Sequence, residues 1–411
     1  MDEYLIVIKI LEQVLEGKNL GEVYNKEIIK DKLNVGKIKD LSFGTVRYYF
    51  RLNIILEQLA PRKISNNKVK LILLISLYEI IYTKKPHYAI GKDMVDLVYS
   101  ITTQEPIKKF VNAVIRNFIR NQEQIIAKIK SSKEYQANLP KWWVNKINSQ
   151  HKSEGLKIID NFNQEPSIYL RINPHKSTVN KYQELLDHAN IEYELIENVI
   201  KLKQNIKVTN LPGFEQGNVS IQDLNAMKLI EFIEIKPGMK ILDACCAPGG
   251  KACQILENYN VDLTALEIDK SRLNRLDENL KRLQLTAKVI NGDATKSNWW
   301  DLTVFDVIIA DVPCSASGTV KRNPDIKLNR KEEDIKNFVK TQREIVDNLW
   351  KMLKPQGQLV YVTCSIFDEE NQQNIEYFLN KLNKIKLVKM QNYLPIKEGD
   401  GFFYALLNKE S

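Results

Sequence analysis

The stretch Ile241-Leu-Asp-Ala-Cys-Cys-Ala-Pro-Gly-Gly-Lys251 decides how the C-terminal half of this 411-residue chain reads. A short apolar run enters a Pro-Gly-Gly turn, and the residues after it can open a helix. Strand, glycine turn and helix N-terminus, in that order, is how an open α/β sheet approaches a nucleotide-like ligand. The glycines carry no Cβ, so backbone can come close. Such a turn also serves as an ordinary tight βα connection, and its meaning depends on the residues downstream.

From residue 238 onward the pattern alternates. Strands are expected at 240–245, 263–268, 288–291, 305–310 and 358–363, with helices at 251–257, 271–283, 333–353 and 371–382. Regular β-α-β-α order implies a mostly parallel, doubly wound sheet, and such sheets bind ligands at the carboxyl ends of their strands. Polar residues fall at those ends. Asp243 and the glycine turn follow the first strand, Glu267 and Asp269 the second, and Asp293 the third. Asp311-Val-Pro-Cys314 follows the fourth and Thr363-Cys-Ser365 the fifth. An acid after the second strand can accept from ribose hydroxyls, and one after the third from an adenine amino group. Neither Gly-x-Gly-x-x-Gly nor a Walker sequence is present, so S-adenosylmethionine is the better-fitting adenosine cofactor. The tail Phe402-Phe-Tyr-Ala-Leu-Leu407 reads as a last strand pairing antiparallel at the edge.

Upstream, residues 1–130 read as helices throughout, at 4–15, 43–59, 69–82, 88–100 and 107–129, punctuated by Pro61 and Pro86. Residues 131–152 read as a connecting helix, with Trp142 and Trp143 as packing anchors. From Pro166 a small α+β module begins. Strands are expected at 168–172, 191–195 and 199–202, with a helix capped by Ser177 and ending near His188. A segment at 219–223 then leads into a helix through Ile233.

Charge is uneven along the chain. Residues 51–150 carry 17 Lys and Arg against 7 Asp and Glu, and the remainder nearly balances. A localised basic surface attracts phosphate backbones. No run of about 18 apolar residues suggests a membrane span. The Met-Asp-Glu-Tyr start lacks signal-peptide features, so a cytoplasmic protein is expected. All five cysteines lie after residue 240 without a Cys-x-x-Cys spacing, which argues against a disulfide framework or a zinc site, and no metal is expected.

Two of those cysteines suit a particular chemistry. Carbon-5 of a pyrimidine is too weak a nucleophile to take a methyl group directly, but adding a thiolate at carbon-6 makes it enamine-like. A base must afterwards remove the carbon-5 proton so that the thiol can leave. An acid beside the ring N3, such as Asp311, would stabilise the adduct if it carried or shared a proton. Cys245, Cys246 and Cys253 read as small packing hydrophobes.

Asp311-Val-Pro-Cys-Ser-Ala-Ser-Gly-Thr319, Thr363-Cys-Ser365 and Asp243-Ala-Cys-Cys-Ala-Pro-Gly-Gly-Lys251 resemble the RNA cytosine-5 methyltransferase family. Ser42-Phe-Gly-Thr-Val-Arg47 and Lys109-Phe-Val-Asn-Ala-Val-Ile-Arg116 resemble the NusB-type RNA-binding helical domain. Asn323-Pro-Asp-Ile-Lys327 and Glu398-Gly-Asp-Gly-Phe-Phe403 resemble the branch acting on 16S rRNA. The resemblance implies three parts: a NusB-like domain over 1–130, a connecting helix and small α+β module over 131–235, and a Rossmann-like catalytic domain over 236–411. It implies methylation of carbon-5 of a cytosine in 16S rRNA, position 967, on naked or early-assembly RNA, by a monomer. By the same resemblance Cys364 is the nucleophile and Cys314 assists release, with Asp311 and Lys251 completing the catalytic set. S-adenosylmethionine would meet Cys245, Cys246, Ala247, Pro248, Gly249, Gly250 and Lys251, with Glu267, Asp293 and Asp311. Cys246 stands where the family usually has alanine, and Glu267 where it has aspartate. Competing readings are a tRNA or large-subunit rRNA cytosine methyltransferase, and a non-catalytic RNA-binding or antitermination factor.

Overall fold

The computed structural model describes residues 2–28 and 33–411. It divides into two compact units, Met1–Gln164 with Val320–Glu332, and Glu165–Thr319 with Glu333–Ser411.

The first unit is helical. Asp2–Leu15 turns Tyr4, Val7, Ile8, Leu11 and Val14 inward at helical spacing. Asn67–Tyr82, apolar nearly all round, is the buried centre. Asn19, Asn34 and Asn66 each cap a helix by accepting from the amide three residues on. Two of those caps mark elements the apolar pattern does not reveal. Leu20–Glu27 is a separate helix, and the helix expected at 43–59 is two, Val35–Arg47 and Tyr49–Leu59, meeting at Tyr48. The connecting helix is likewise two, Lys133–Ala137 and Lys141–Gln150, because Asn138 takes a left-handed φ of 53° and Pro140 follows it. Trp143 is fully buried against Phe162, as an anchor should be.

The segment Val320–Glu332 is held in this helical unit, although the sequence order puts it inside the sheet domain. Arg47 donates to the carbonyls of Gln164 at 2.8 Å and Lys321 at 2.7 Å. Lys327, with no exposed surface, donates to the carbonyls of Arg47 and Asn138. Asp325 accepts from the Leu20 amide at 3.1 Å. Burial pushes the Lys327 ammonium well below its ordinary range.

The second unit contains two sheets. In the small module, β1 (Ile168–Ile172), β2 (Tyr193–Ile196), β3 (Val199–Leu202) and β4 (Val219–Ile221) pair antiparallel in the order β2-β3-β1-β4. Its helix, Val179–His188, is capped by Thr178 rather than Ser177. The helix expected to run through Ile233 is a 3₁₀ segment, Ala226–Glu231.

The large sheet comprises β5 (Lys240–Ala244), β6 (Asp262–Glu267), β7 (Lys288–Asn291), β8 (Phe305–Asp311), β9 (Leu353–Thr363), β10 (Ile385–Tyr393) and β11 (Phe402–Lys409). The order is β10-β11-β9-β8-β5-β6-β7. The five strands from β9 through β7 run parallel. Residues alternate between two cores, Ile241, Val307 and Ile309 on one face and Leu242, Ile308 and Ala310 on the other. Burial on both faces explains the continuous apolar runs. The tail strand β11 does not lie at the edge as expected. It pairs antiparallel with both β9 and β10. The outer strand β10 escapes the sequence pattern because Lys386, Lys389, Gln391 and other polar residues fill an exposed edge.

Candidate active site

Register brings the strand ends together. Ala244 is level with Leu266 on one side and Ala310 on the other, Glu267 with Asn291, and Asp311 with Val362. The turn after β5, the acids after β6 and β7, and both cysteine loops therefore open at one edge of the parallel sheet.

The turn is built for close approach. Cys245 takes φ 61° and Gly249 φ 96°, and a Cβ on Gly249 would lie 2.5 Å from Leu276 Cδ1. Gly249 caps the helix Gly250–Asn258. The Cys246 amide donates to Leu266 O at 3.0 Å, and the Ala247 amide to Glu267 Oε2 at 3.2 Å. Glu267 Oε1 accepts from the Asp269 amide at 3.0 Å. Glu267 thus fastens the turn to β6, and a carboxylate's two oxygens still have room for further donors. Asp293 accepts from the amide and hydroxyl of Thr295 at 2.9 and 2.7 Å. Burial opposes the Asp293 charge, but the Thr295 bonds and Lys296 hold its carboxyl below the usual range.

A residue that the motif reading passes over supports this turn from behind. Arg171 of β1 makes a bidentate pair with Glu257 at 2.8 and 3.0 Å, both side chains buried, and donates to Gly250 O at 2.8 Å. It ties the small module to the helix that opens at the glycine turn. The only sequence signal is an arginine in an otherwise apolar strand.

Lys251 Nζ lies 2.7 Å from Asp311 Oδ2. Burial by itself would lower the Lys251 ammonium, but Asp311 and then Asp243 outweigh it and hold it above its ordinary value. Asp243 sits inside β5 rather than after it, fully buried, with neither carboxylate oxygen hydrogen-bonded. Burial, then the Asp311 charge, pushes its carboxyl up to about 8.

The two cysteine loops meet. Cys314 Sγ and Cys364 Sγ are 3.3 Å apart, both half-buried. The Gly318 amide donates to Cys364 O at 2.9 Å. The Cys364 sulfur, then burial, holds the Cys314 thiol well above its ordinary value, so Cys314 keeps its proton at neutral pH. Cys245, Cys246 and Cys253 are pushed up chiefly by burial, and Cys246 and Cys253 lie in the core. The Cys314 loop rests on the Glu398-Gly-Asp-Gly401 turn. Gly318 O accepts from the Gly401 amide at 2.8 Å, and a Cβ on Gly318 would meet Gly401 O at 2.5 Å.

In the helical unit, Ser42, Thr45 and Arg47 of the Ser42–Arg47 word are buried, so these residues serve packing rather than contact with RNA. Lys109, Arg116 and Arg120 are exposed on the straight part of Glu105–Ile129, before its break at Asn121. Their spacing puts them along one helix face, beside the partly exposed Phe110 ring. Among the described residues, no cluster of His, Cys, Asp or Glu could hold a metal, and no helix is long and apolar enough to cross a membrane.

The chain matches the family model described as 16S rRNA methyltransferase RsmB/F over residues 230–408, the NusB family over 3–120, and the RsmF/B-like ferredoxin-like domain over 139–209. It is 36% identical to Ribosomal RNA small subunit methyltransferase B of Pasteurella multocida (strain Pm70), over 98% of this chain and 94% of that one. It is also 36% identical to the protein of that name from Yersinia enterocolitica, over 98% of each. Among solved structures, PH0851 matches with a TM-score of 0.77 at 22% identity, covering 95% of this chain and 94% of that one. NSun6 from Pyrococcus horikoshii with SFG matches with a TM-score of 0.59 at 22% identity, covering 67% of this chain and 99% of that one.

Proposed function

The chain belongs to the RsmB/F family of 16S rRNA methyltransferases, and from that membership we propose that it methylates carbon-5 of a cytosine in 16S rRNA through a covalent cysteine–cytosine adduct. The observation that carries this reading is the pair of sulfurs, 3.3 Å apart, at the ends of two adjacent parallel strands beside the glycine turn.

The residues fit S-adenosylmethionine on structural grounds. The turn after β5 passes through left-handed backbone at Cys245 and Gly249 into a helix N-terminus, Glu267 and Asp293 stand at successive strand ends, and Asp243 is a buried carboxyl whose oxygens have no hydrogen-bond partner. Cys245, Cys246, Ala247, Pro248, Gly249, Gly250 and Lys251 would line the methionine end, with Glu267 toward the ribose and Asp293 toward the adenine. S-adenosylmethionine supplies an electrophilic methyl group on a sulfonium.

Cys364, as the thiolate, adds to carbon-6 and pushes electrons to carbon-5, which takes the methyl group. Cys314 then accepts the carbon-5 proton, the carbon–sulfur bond breaks, and Cys364 leaves as thiolate. Cys314 is protonated at rest, so its own proton first passes to bulk water, and the resulting thiolate takes the carbon-5 proton and ends as the thiol again. Asp311, held by Lys251 at 2.7 Å, would stand beside the ring N3, and the proton it shares with the Lys251 ammonium would stabilise the adduct there. The target base has to leave its stack to reach Cys364. Lys109, Arg116, Arg120 and Phe110 offer cations and a ring to RNA phosphates and bases. Position 967 is the target that the family resemblance implies.

The test is transfer of labelled methyl from S-adenosylmethionine to an unmodified 16S rRNA transcript, followed by bisulfite mapping. One protected cytosine at position 967 is expected. Protection only in tRNA or large-subunit rRNA would move the substrate. Failure to bind S-adenosylmethionine in a direct titration would leave the non-catalytic RNA-binding reading.

A further inference from the structure

Glu370 lies behind the two cysteines, has no exposed surface, and belongs to neither cysteine motif. Its carboxylate reaches both loops. Oε1 accepts from the Ser315 amide at 2.8 Å and from Gln342 Nε2 at 3.0 Å. Oε2 lies 2.5 Å from the hydroxyls of both Ser315 and Ser365. Ser315 directly follows Cys314, and Ser365 directly follows Cys364.

The surroundings are equally fixed. Tyr361 Oη lies 2.7 Å from Glu370 O, and the Glu370 amide donates to Phe367 O at 3.1 Å. Ser317 Oγ takes the Ile366 amide at 2.9 Å, and the Phe367 amide donates to Ser365 Oγ at 3.0 Å. Asn371 Nδ2 donates to Ser365 O at 2.8 Å. Ser315 Oγ and Ser365 Oγ also lie 3.1 Å apart, and Ser317 Oγ lies 3.0 and 3.1 Å from them, so the Glu370 carboxylate is the charged acceptor on which a hydroxyl network across both loops converges. Burial raises its carboxyl above the usual range, opposed by the bonds from Ser315, Ser365 and Gln342. A buried carboxylate is costly, and one whose donors all come from two catalytic loops and the helix behind them has a use there.

We propose that Glu370 is the positioning residue that sets the spacing of Cys314 and Cys364, by fastening the residue after each cysteine to one carboxylate. This rests on the covalent reading of the cysteine pair. Near-attack geometry is demanding: a misplacement of about 1 Å costs on the order of 10²-fold in rate. A merely stabilising acid would leave the cysteine spacing unchanged once the protein is folded.

Thiol cross-linking tests this without RNA. Dibromobimane bridges two close thiols, and peptide mapping identifies the Cys314–Cys364 product. In the full chain, Glu370→Ala should slow that product by roughly tenfold or more while S-adenosylmethionine affinity stays within about threefold. Glu370→Gln keeps an acceptor for the Ser315 amide and Gln342, and the two serine hydroxyls can rotate to accept from its amide. Cross-linking should recover to within about threefold of wild type. In turnover, Glu370→Ala should lower kcat on the order of 10²-fold with KM for RNA nearly unchanged. If Glu370→Ala does not fold, Ser315→Ala/Ser365→Ala removes both hydroxyl fastenings and carries the same cross-linking expectation. Wild-type cross-linking in the alanine variants, or a glutamine variant as impaired as alanine, overturns the proposal. Absence of RNA methylation by the wild type, with the cross-linking results as expected, overturns the covalent reading and leaves the positioning intact.

Discussion

Both units bury charge, but they use it differently. In the helical unit Arg47 and Lys327 donate to main-chain carbonyls, and Asp325 accepts from a helix-start amide. Those partners are fixed backbone, and the charges hold the segment Val320–Glu332 in place. In the sheet unit the buried groups face one another at open strand ends. Lys251 meets Asp311, Cys314 meets Cys364, and Asp243 has no hydrogen-bonded partner. A buried charge satisfied by backbone is scaffold. A buried ionisable group held against another, at the mouth of a parallel sheet, is available for chemistry.

The sharpest way to break that contrast is the cysteine pair. Cys364→Ala should abolish turnover and covalent RNA adduct together. Cys314→Ala should allow attack and methyl transfer but stall release, leaving an adduct that survives a denaturing gel and requires S-adenosylmethionine. The opposite pattern would exchange the two roles.

Next is Gly318→Ala. Its Cβ would meet Gly401 backbone at 2.5 Å, so the loop carrying Cys314 must shift. A shift of about 1 Å predicts a kcat loss on the order of 10²-fold, measured in the same transfer assay. An unchanged kcat would mean that the loop tolerates displacement and that the cysteine spacing is not limiting.

Arg47→Met should act on stability instead. It leaves two carbonyls without their donor and should cost about 2–3 kcal/mol in urea unfolding of the helical unit. Dibromobimane linking of Cys314 to Cys364 in the folded variant should stay unchanged. A slowed link would show that the helical unit's fasteners also set the site.

Asp243→Asn should have an effect that depends on pH. The native carboxyl keeps its proton up to about 8, whereas the unfolded chain loses it near 4. The native state therefore binds more protons between those values, and wild-type stability falls as pH rises through that window. The asparagine variant lacks this drain. Its unfolding free energy should gain on wild type from pH 5 to pH 8, by roughly 1 kcal/mol for each pH unit. A constant difference would mean that Asp243 titrates normally.

The mildest test concerns the exposed cations. Lys109→Ala/Arg116→Ala/Arg120→Ala should reduce the log–log salt slope of RNA binding by roughly 2, about 0.7 for each phosphate no longer neutralised. An unchanged slope would make that face merely solvated. Point substitution is preferable to deleting 1–130, because deletion would strip the Arg47 carbonyl that Lys327 uses and expose its buried amine.

Much of this was legible in the chain itself. Continuous apolar strands, helical spacing and acids at the strand ends declare a parallel sheet with a ligand edge, because side-chain period and burial follow directly from residue type. The helices that Asn19 and Asn34 cap contain few apolar residues, so apolar spacing did not reveal them. The outer strand β10 was hidden, since an edge strand with polar side chains lacks the alternation of a half-buried one.

By itself the sequence determined the alternation of strands and helices in the parallel sheet, the candidate reactive groups and the strand end near which most of them stand. These depend on local periodicity and on covalent chemistry, both properties of the chain alone. Tertiary structure alone decided that Val320–Glu332 packs among the helices, that Arg171 braces the glycine turn, and that Glu370 reaches both cysteine loops. Each is a contact between residues far apart in the chain, set by strand register and by where buried polar groups find partners. No local pattern records such pairings, because their energy exists only once the chain has folded.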